Sequence, residues 1–178
     1  MENDSKNFLE FVRSRKSVRK FISSKINRET INEILEFGRW APSGKNRQPW
    51  RVHIVLHEGT KKLLAEHTKY GGVIESAFVN FVVFLDLKLC YDRVKDIQAI
   101  GAFMQNLLLG VHAQPDLGAV WIGNILEKKE GVSKLFKLSE DAFELMGVIA
   151  VGETDPAGGK LIEGMRERRA LEDFVEWY

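Results

Sequence analysis

The chain alternates between stretches whose apolar residues recur at three- and four-residue steps and shorter stretches that are apolar at every second position or throughout. The first spacing gathers apolar side chains on one face of a helix, and the second suits a strand. Phe8, Leu9, Phe11 and Val12 predict a short amphipathic helix with Ser5 as its cap. Ile31, Ile34, Leu35 and Gly38 predict a second helix behind a cap at Asn27. Trp50, Val52, Ile54 and Leu56 alternate with Arg51, His53 and Val55, a strand with one more polar face. Residues 60–69 read as helix. Phe78–Leu85 is apolar apart from Asn80, as expected of a strand buried on both faces.

Ile97, Ile100, Phe103, Met104, Leu107, Leu108 and Val111 form a continuous stripe that predicts a central core helix from near Asp92 to before Pro115. Asp92 and Asp96 suit its start, where the helix dipole favours negative charge. Val120–Ile122 reads as a short strand, Val132, Leu135 and Phe136 as a short helix, and Leu145–Val151 as a buried strand ended by Gly152–Pro156. Ala157-Gly158-Gly159 reads as a flexible connection, and Leu171, Phe174 and Val175 as a C-terminal helix. About four strands interspersed with five or six helices predict an α+β layer architecture. With no repeat and no long linker, residues 1–178 are expected to form a single domain.

Composition narrows the function. The chain is 44% apolar and 29% charged, with a net charge of +1, so no global field draws it to nucleic acid or an anionic membrane. The single cysteine, Cys90, excludes an internal disulfide framework or a multi-cysteine metal site; a lone thiol can serve as a nucleophile, but its place at the end of an apolar run suits a structural one better. No segment reaches the ~20 apolar residues of a membrane helix. The acidic start makes a secretory signal unexpected, which leaves the cytoplasm as the expected location. No G-x-G-x-x-G or Walker loop follows a strand.

Two features carry candidate chemistry. Ala41-Pro42-Ser43-Gly44-Lys45-Asn46-Arg47-Gln48-Pro49-Trp50 is a loop stiffened by Pro42 and Pro49, in which Ser43, Asn46 and Gln48 present neutral donors and acceptors. Such a loop suits the edge of a flat heteroaromatic; its composition also suits an ordinary polar turn. Basic runs stand at Arg13–Lys20 and at Arg166, Arg168 and Arg169. Arginine forks grip phosphate, and Ser17 can add a hydroxyl, although solvated charged faces have the same composition. Neither run has the interleaved aromatics of an RNA-binding patch.

In order along the chain, Arg15–Phe21, the Pro-Ser-x-x-Asn-x-Gln-Pro-Trp loop, Leu117–Gly123 and Arg168–Glu172 resemble the nitroreductase family of flavoproteins, in its compact branch. The resemblance spans about Phe8 to Trp177. It implies an α+β nitroreductase-like fold: a mostly antiparallel mixed sheet of about four to five strands flanked by helices, in an intertwined homodimer with FMN at the subunit interface. It further implies that Arg15 and Ser17 hold the FMN phosphate or ribityl chain, with Lys16 contributing through its backbone and Arg19 near the pyrimidine edge. Pro42, Ser43 and Asn46 would line the isoalloxazine from the partner subunit, supported by Gln48. The Trp121-Ile122-Gly123 backbone would approach the flavin, and Arg168, with Arg166 or Arg169, would reach the phosphate.

The implied reaction is hydride transfer from NADH or NADPH, through flavin N5, to a small electron-poor acceptor such as a nitroaromatic, quinone or conjugated carbonyl, in alternating half-reactions. No side-chain acid or base is needed, and no nucleic-acid or membrane partner is expected. The family also contains enzymes dedicated to one metabolite, dehalogenases and flavin-fragmenting enzymes, and a flavin-binding redox sensor with little turnover fits the same motifs. The chain departs from its relatives at His112–Gly118, at Gly152-Glu153-Thr154 and at Ala170. His53 and His67 read as ordinary strand or surface residues. His112 either packs on the core helix or faces the flavin pocket, and Trp40 and Trp50 either wall that pocket or pack.

Overall fold

Every strand pairing in the five-stranded sheet is antiparallel. The computed structural model describes residues 2–23, 25–155 and 167–178. In chain order its elements are α1 (Glu2–Ser14), β1 (Phe21–Ile22), α2 (Arg28–Arg39), β2 (Trp50–Val55), α3 (Glu58–Ala65), α4 (Gly71–Ser76), β3 (Val79–Asp86), α5 (Arg93–His112), β4 (Leu117–Ile122), α6 (Lys129–Leu135) and β5 (Phe143–Thr154).

The 12-residue β5 is the organising strand. It pairs with β3 along one edge and with β4 along the other. Because Glu153 is opposite both Ile22 and Leu117, β1 prolongs the β3 edge while β4 stays on the outside of the sheet. The predicted end of this strand at Gly152 is therefore corrected. Gly152–Thr154 continue it because β1 supplies a second partner and the ring of Phe21 fills the space above Gly152.

Alternation along the strands separates two cores. Phe81, Val83, Leu85 and Ile149 face α2 and α5 through Ile34, Phe103, Met104 and Leu107. Val82, Phe84, Val148 and Ala150 face α3, α4 and α6 through Leu64, Ile74 and Val132. All eight residues of β3 are buried, the polar Asn80 and Asp86 included, as a run apolar apart from Asn80 predicts for a strand covered on both faces.

The predicted caps at Asn27 and Asp92 are both present: Asn27 Oδ1 accepts the Thr30 N–H at 2.7 Å, and Asp92 Oδ1 accepts the Lys95 N–H at 3.0 Å. Asp96 answers from inside α5, accepting the Tyr91 and Asp92 N–H groups at 2.9 Å each. Ser5 lies inside α1 and caps nothing, since the helix already runs from Glu2. The helix expected over 60–69 ends at Ala65, where Glu66 is its C-cap, and α4 follows as a separate turn. The expected C-terminal helix is only a 3₁₀ turn at Leu171–Asp173. Leu171 and Phe174 remain exposed there, so among the described residues the turn gains little packing to offset the cost of nucleating a helix. The Ala157-Gly158-Gly159 connection and Arg166 lie outside the described residues.

Candidate functional site

Residues 15–19 follow α1 and, on the side away from β5, meet β4. They touch it at a parallel bridge between Ser17 and Ala119, where the Val18 N–H donates to the Ala119 carbonyl at 2.9 Å. Gly118 makes this approach possible, since a Cβ there would lie 2.6 Å from Val18 Cγ2. The Ala119 carbonyl points outward, so strand alternation turns the N–H and C=O of Trp121 to the same open edge.

Two cavities flank this edge. One, of about 260 Å³, is lined by Arg15, Lys16, Val18, Leu108, His112 and Gln114 among others. The other, of about 390 Å³, contains Arg19, Lys69, Tyr70, Trp121, Ile122 and Gly123. The structure thus brings Arg19 together with the Trp121–Gly123 backbone, and Arg15 together with His112. Ile122 is buried, while Trp121 lays its indole against Gly147, a bulge residue at φ +142° that has no Cβ to obstruct the ring.

Gly123 is unlike the other glycines of the site. Its φ of −86° suits any residue, and a Cβ at this position would meet nothing within 4 Å. Neither backbone conformation nor the chain's own packing requires glycine there.

The 41–50 loop is strained. Lys45, Asn46 and Gln48 all have positive φ, at 54°, 53° and 50°. Left-handed backbone costs non-glycine residues about 1–2 kcal/mol each, and such strain concentrates at functional sites. Ser43 holds the turn: its carbonyl accepts the Asn46 N–H at 3.0 Å, and its Oγ accepts the Gln48 N–H at 3.0 Å. The Gln48 amide donates back to Asn46 Oδ1 at 3.3 Å. Beneath the turn, the Tyr91 ring occupies the space a Cβ at Gly44 would need, and Lys45 Nζ sits 4.9 Å from that ring's centroid. Pro49 is buried, whereas Pro42, Asn46 and Gln48 are exposed. None of Pro42, Ser43, Asn46 or Gln48 lines either cavity of its own chain.

Arg168 and Arg169 also stand apart from both cavities, and Arg166 lies outside the described residues. Arg168 donates to the Glu167 carbonyl, and Arg169 lies over the Phe174 ring. Trp50 stacks on Phe103 with centroids 4.9 Å apart, which makes it core, while Trp40 is 75% exposed. Burial pushes the Cys90 thiol up to about 11, helped by Asp96 and Asp86, so it stays protonated and unreactive. His53 is wedged against Phe84 and Phe136, and that burial lowers its pKa, with Arg51 adding to the effect. Among the described residues no cluster of His, Cys, Asp and Glu is arranged to hold a metal, and no helix is long and apolar enough to cross a membrane.

Motif reasoning missed Lys69, Tyr70, Asn124 and Glu127 in the larger cavity. Asn124 Oδ1 brings the first two there, accepting from the Thr68 hydroxyl at 3.0 Å and the Lys69 N–H at 3.1 Å.

The sequence model of the nitroreductase family matches residues 12–82 and 76–153. A Desulfovibrio desulfuricans protein provisionally named a nitroreductase, solved in complex with FMN, superposes with a TM-score of 0.86 at 35% identity, covering 96% of this chain and 95% of that one. A Clostridium acetobutylicum protein provisionally named an NADH oxidase gives a TM-score of 0.81 at 27% identity, covering 94% and 99%. An Archaeoglobus fulgidus protein, provisionally named NADH dehydrogenase/NAD(P)H nitroreductase, is 30% identical over 131 residues, 73% of this chain and 74% of its own. This chain belongs to the nitroreductase family.

Proposed function

We propose that this protein is an FMN-dependent oxidoreductase that uses NADH or NADPH to reduce a small electron-poor acceptor, such as a nitroaromatic, quinone or conjugated carbonyl. The observation that carries the reading is the open edge of β4 at Trp121–Gly123, lying beside the cationic 15–19 strap. When bound, FMN supplies a hydride-carrying N5 that serves the two half-reactions in turn.

The chain's own residues bind and orient. Arg15 and Ser17, with the Lys16 backbone, hold the phosphate end through charge-assisted hydrogen bonds, and Arg168 with Arg166 or Arg169 completes that grip. Arg19, in the cavity beside Trp121, supplies positive charge near the pyrimidine edge. Gly123 leaves open the volume a Cβ would fill, which suits close approach of a planar ring to the strand edge.

Pro42, Ser43 and Asn46 serve the site of a second copy of the chain, with Gln48 bracing the loop. The strained loop facing neither cavity of its own chain supports this arrangement. So do the exposed apolar side chains of Phe37, Trp40, Val94 and Ile97, and of the C-terminal Phe174 and Trp177.

The test is cofactor retention by the full-length protein. Charged hydrogen bonds contribute about 1.5–3 kcal/mol each, so Arg15→Ala with Arg168→Ala should weaken FMN binding about 10²- to 10⁴-fold without unfolding the protein. Unchanged affinity in the double variant would contradict the phosphate assignment. Wild-type protein that neither carries nor takes up FMN would contradict the whole reading.

A further inference from the structure

Ser14 and His112, the last residues of α1 and α5, meet across 98 positions of sequence. Ser14 Oγ donates to the Phe11 carbonyl at 2.9 Å and lies 2.7 Å from His112 Nε2. A hydroxyl has one proton. With that proton on the Phe11 carbonyl, His112 Nε2 donates to Ser14 Oγ; with the proton turned to the ring, Ser14 donates to the other tautomer, and in either case one bond joins the ends of α1 and α5. The ring is also packed against Phe11, with centroids 4.9 Å apart and a tilt of 35°.

Four residues beyond Ser14, the Val18 N–H is tethered to the Ala119 carbonyl. The strap is therefore tied to α5 at one end and to β4 at the other. Between the ties lie only Arg15, Lys16 and Ser17, and Arg15 lines the same cavity as His112.

We propose that His112 is a positioning residue for the anion-binding strap. Through its 2.7 Å bond to Ser14 it fixes the α1 end of the strap and with it the approach of Arg15 to a phosphate. This rests on the FMN reading above, and it gives His112 a role that no cofactor-binding motif assigns. A brace serving stability alone would lower the unfolding temperature yet leave the folded protein's choice between ligands untouched.

The two roles separate when FMN and riboflavin, which lacks the phosphate, are titrated against the same full-length proteins by fluorescence. Losing the Ser14–His112 bond in His112→Leu should weaken FMN binding about three- to tenfold and leave riboflavin within about twofold. His112→Gln, whose amide can donate at similar reach, should restore FMN affinity. Ser14→Ala should behave like His112→Leu, and it provides the same readout if the leucine variant does not fold. An undiminished FMN preference in both His112→Leu and Ser14→Ala overturns the assignment, as does a glutamine variant that loses as much as the leucine. If those variants match a wild type that binds FMN, only the role of His112 falls. A wild type that binds no FMN removes the cofactor reading and this inference together.

Discussion

Gly118→Ala is the single substitution that should most cleanly pry the strap from the sheet. A Cβ at this buried position would lie 2.6 Å from Val18 Cγ2, 2.6 Å from Thr154 Cγ2 and 2.8 Å from Val18 Cβ. Carbon pairs rest at about 3.5–4.0 Å, so the neighbours must retreat by about 1 Å. Both are β-branched and stiff at χ1, which leaves backbone movement as the way out. Overpacking of this kind costs about 1–3 kcal/mol. Retreat of Val18 also stretches its 2.9 Å bond to the Ala119 carbonyl, worth about 0.5–1.5 kcal/mol. The sum is about 1.5–4.5 kcal/mol, which for a domain of this size lowers Tm by about 3–18 °C. Denaturant titration and thermal melting measure the stability loss, and flavin titration of the folded variant measures the site. We expect both to fall, because the displaced segment carries Arg15 and Ser17. Gly72→Ala is the control: nothing lies within 4 Å of its Cβ position in α4, so it should be neutral or gain up to about 1 kcal/mol. A Gly118→Ala protein with wild-type stability and wild-type FMN affinity would refute the account of how the strap is held.

Other consequences follow from titrating groups and caps. The Cys90 thiol, raised to about 11, favours the folded state below its ordinary 9.0, and that contribution is lost as pH rises from there through 11. The native protein should therefore resist alkylation at pH 8 and react only after unfolding, whereas rapid labelling of the folded chain would contradict the assignment. His53 has its pKa lowered, by burial first and by Arg51 second. Its contribution is present above its ordinary 6.5 and declines as pH falls below it, so denaturant midpoints should drop on acidification. His53→Phe should remove that component, and an unchanged acid slope would count against it. Asn27→Ala should cost about 1 kcal/mol by removing the α2 cap, measured by chemical denaturation, and a change of a few tenths would mean that the 2.7 Å bond matters little.

What could be read from the sequence was whatever repeats or is locally self-sufficient. The α5 stripe, buried from Ile100 to Val111, and the apolar run of β3 announce themselves because burial fixes apolar residues at their proper period. Asn27 and Asp92 are legible because a cap bonds only three residues away. In contrast, β1 is two residues long and exists only because Glu153 and Thr154 present an edge to it. No local pattern encodes that. The α4 turn opens on two glycines, which argue against helix, and it forms through Ile74 packing in the core. Leu171, Phe174 and Val175 have helical spacing, but Leu171 and Phe174 stay exposed among the described residues, so the spacing misleads.

The candidate site divides in the same way. The strap and the 41–50 loop stand out by composition, and the strain at Lys45, Asn46 and Gln48 gives the loop's two prolines and its Ser43 brace a physical reason. Lys69 and Tyr70 reach the larger cavity only because Asn124 holds Thr68 and Lys69 across more than fifty residues of chain. A contact that long-range leaves no spacing to read. His112 lies between these cases: its position late on α5 is evident, but its partner Ser14 emerges only when the two helix ends meet.

The central claim is that this fold binds FMN and passes reducing equivalents through it. Anaerobic stopped-flow mixing of FMN-loaded protein with NADH, and separately with NADPH, tests that claim most directly. The account predicts bleaching of the flavin's visible absorbance by at least one nucleotide and its recovery when a quinone or nitroaromatic is added. Flavin that remains oxidised with both nucleotides, or that the protein never takes up, would contradict it.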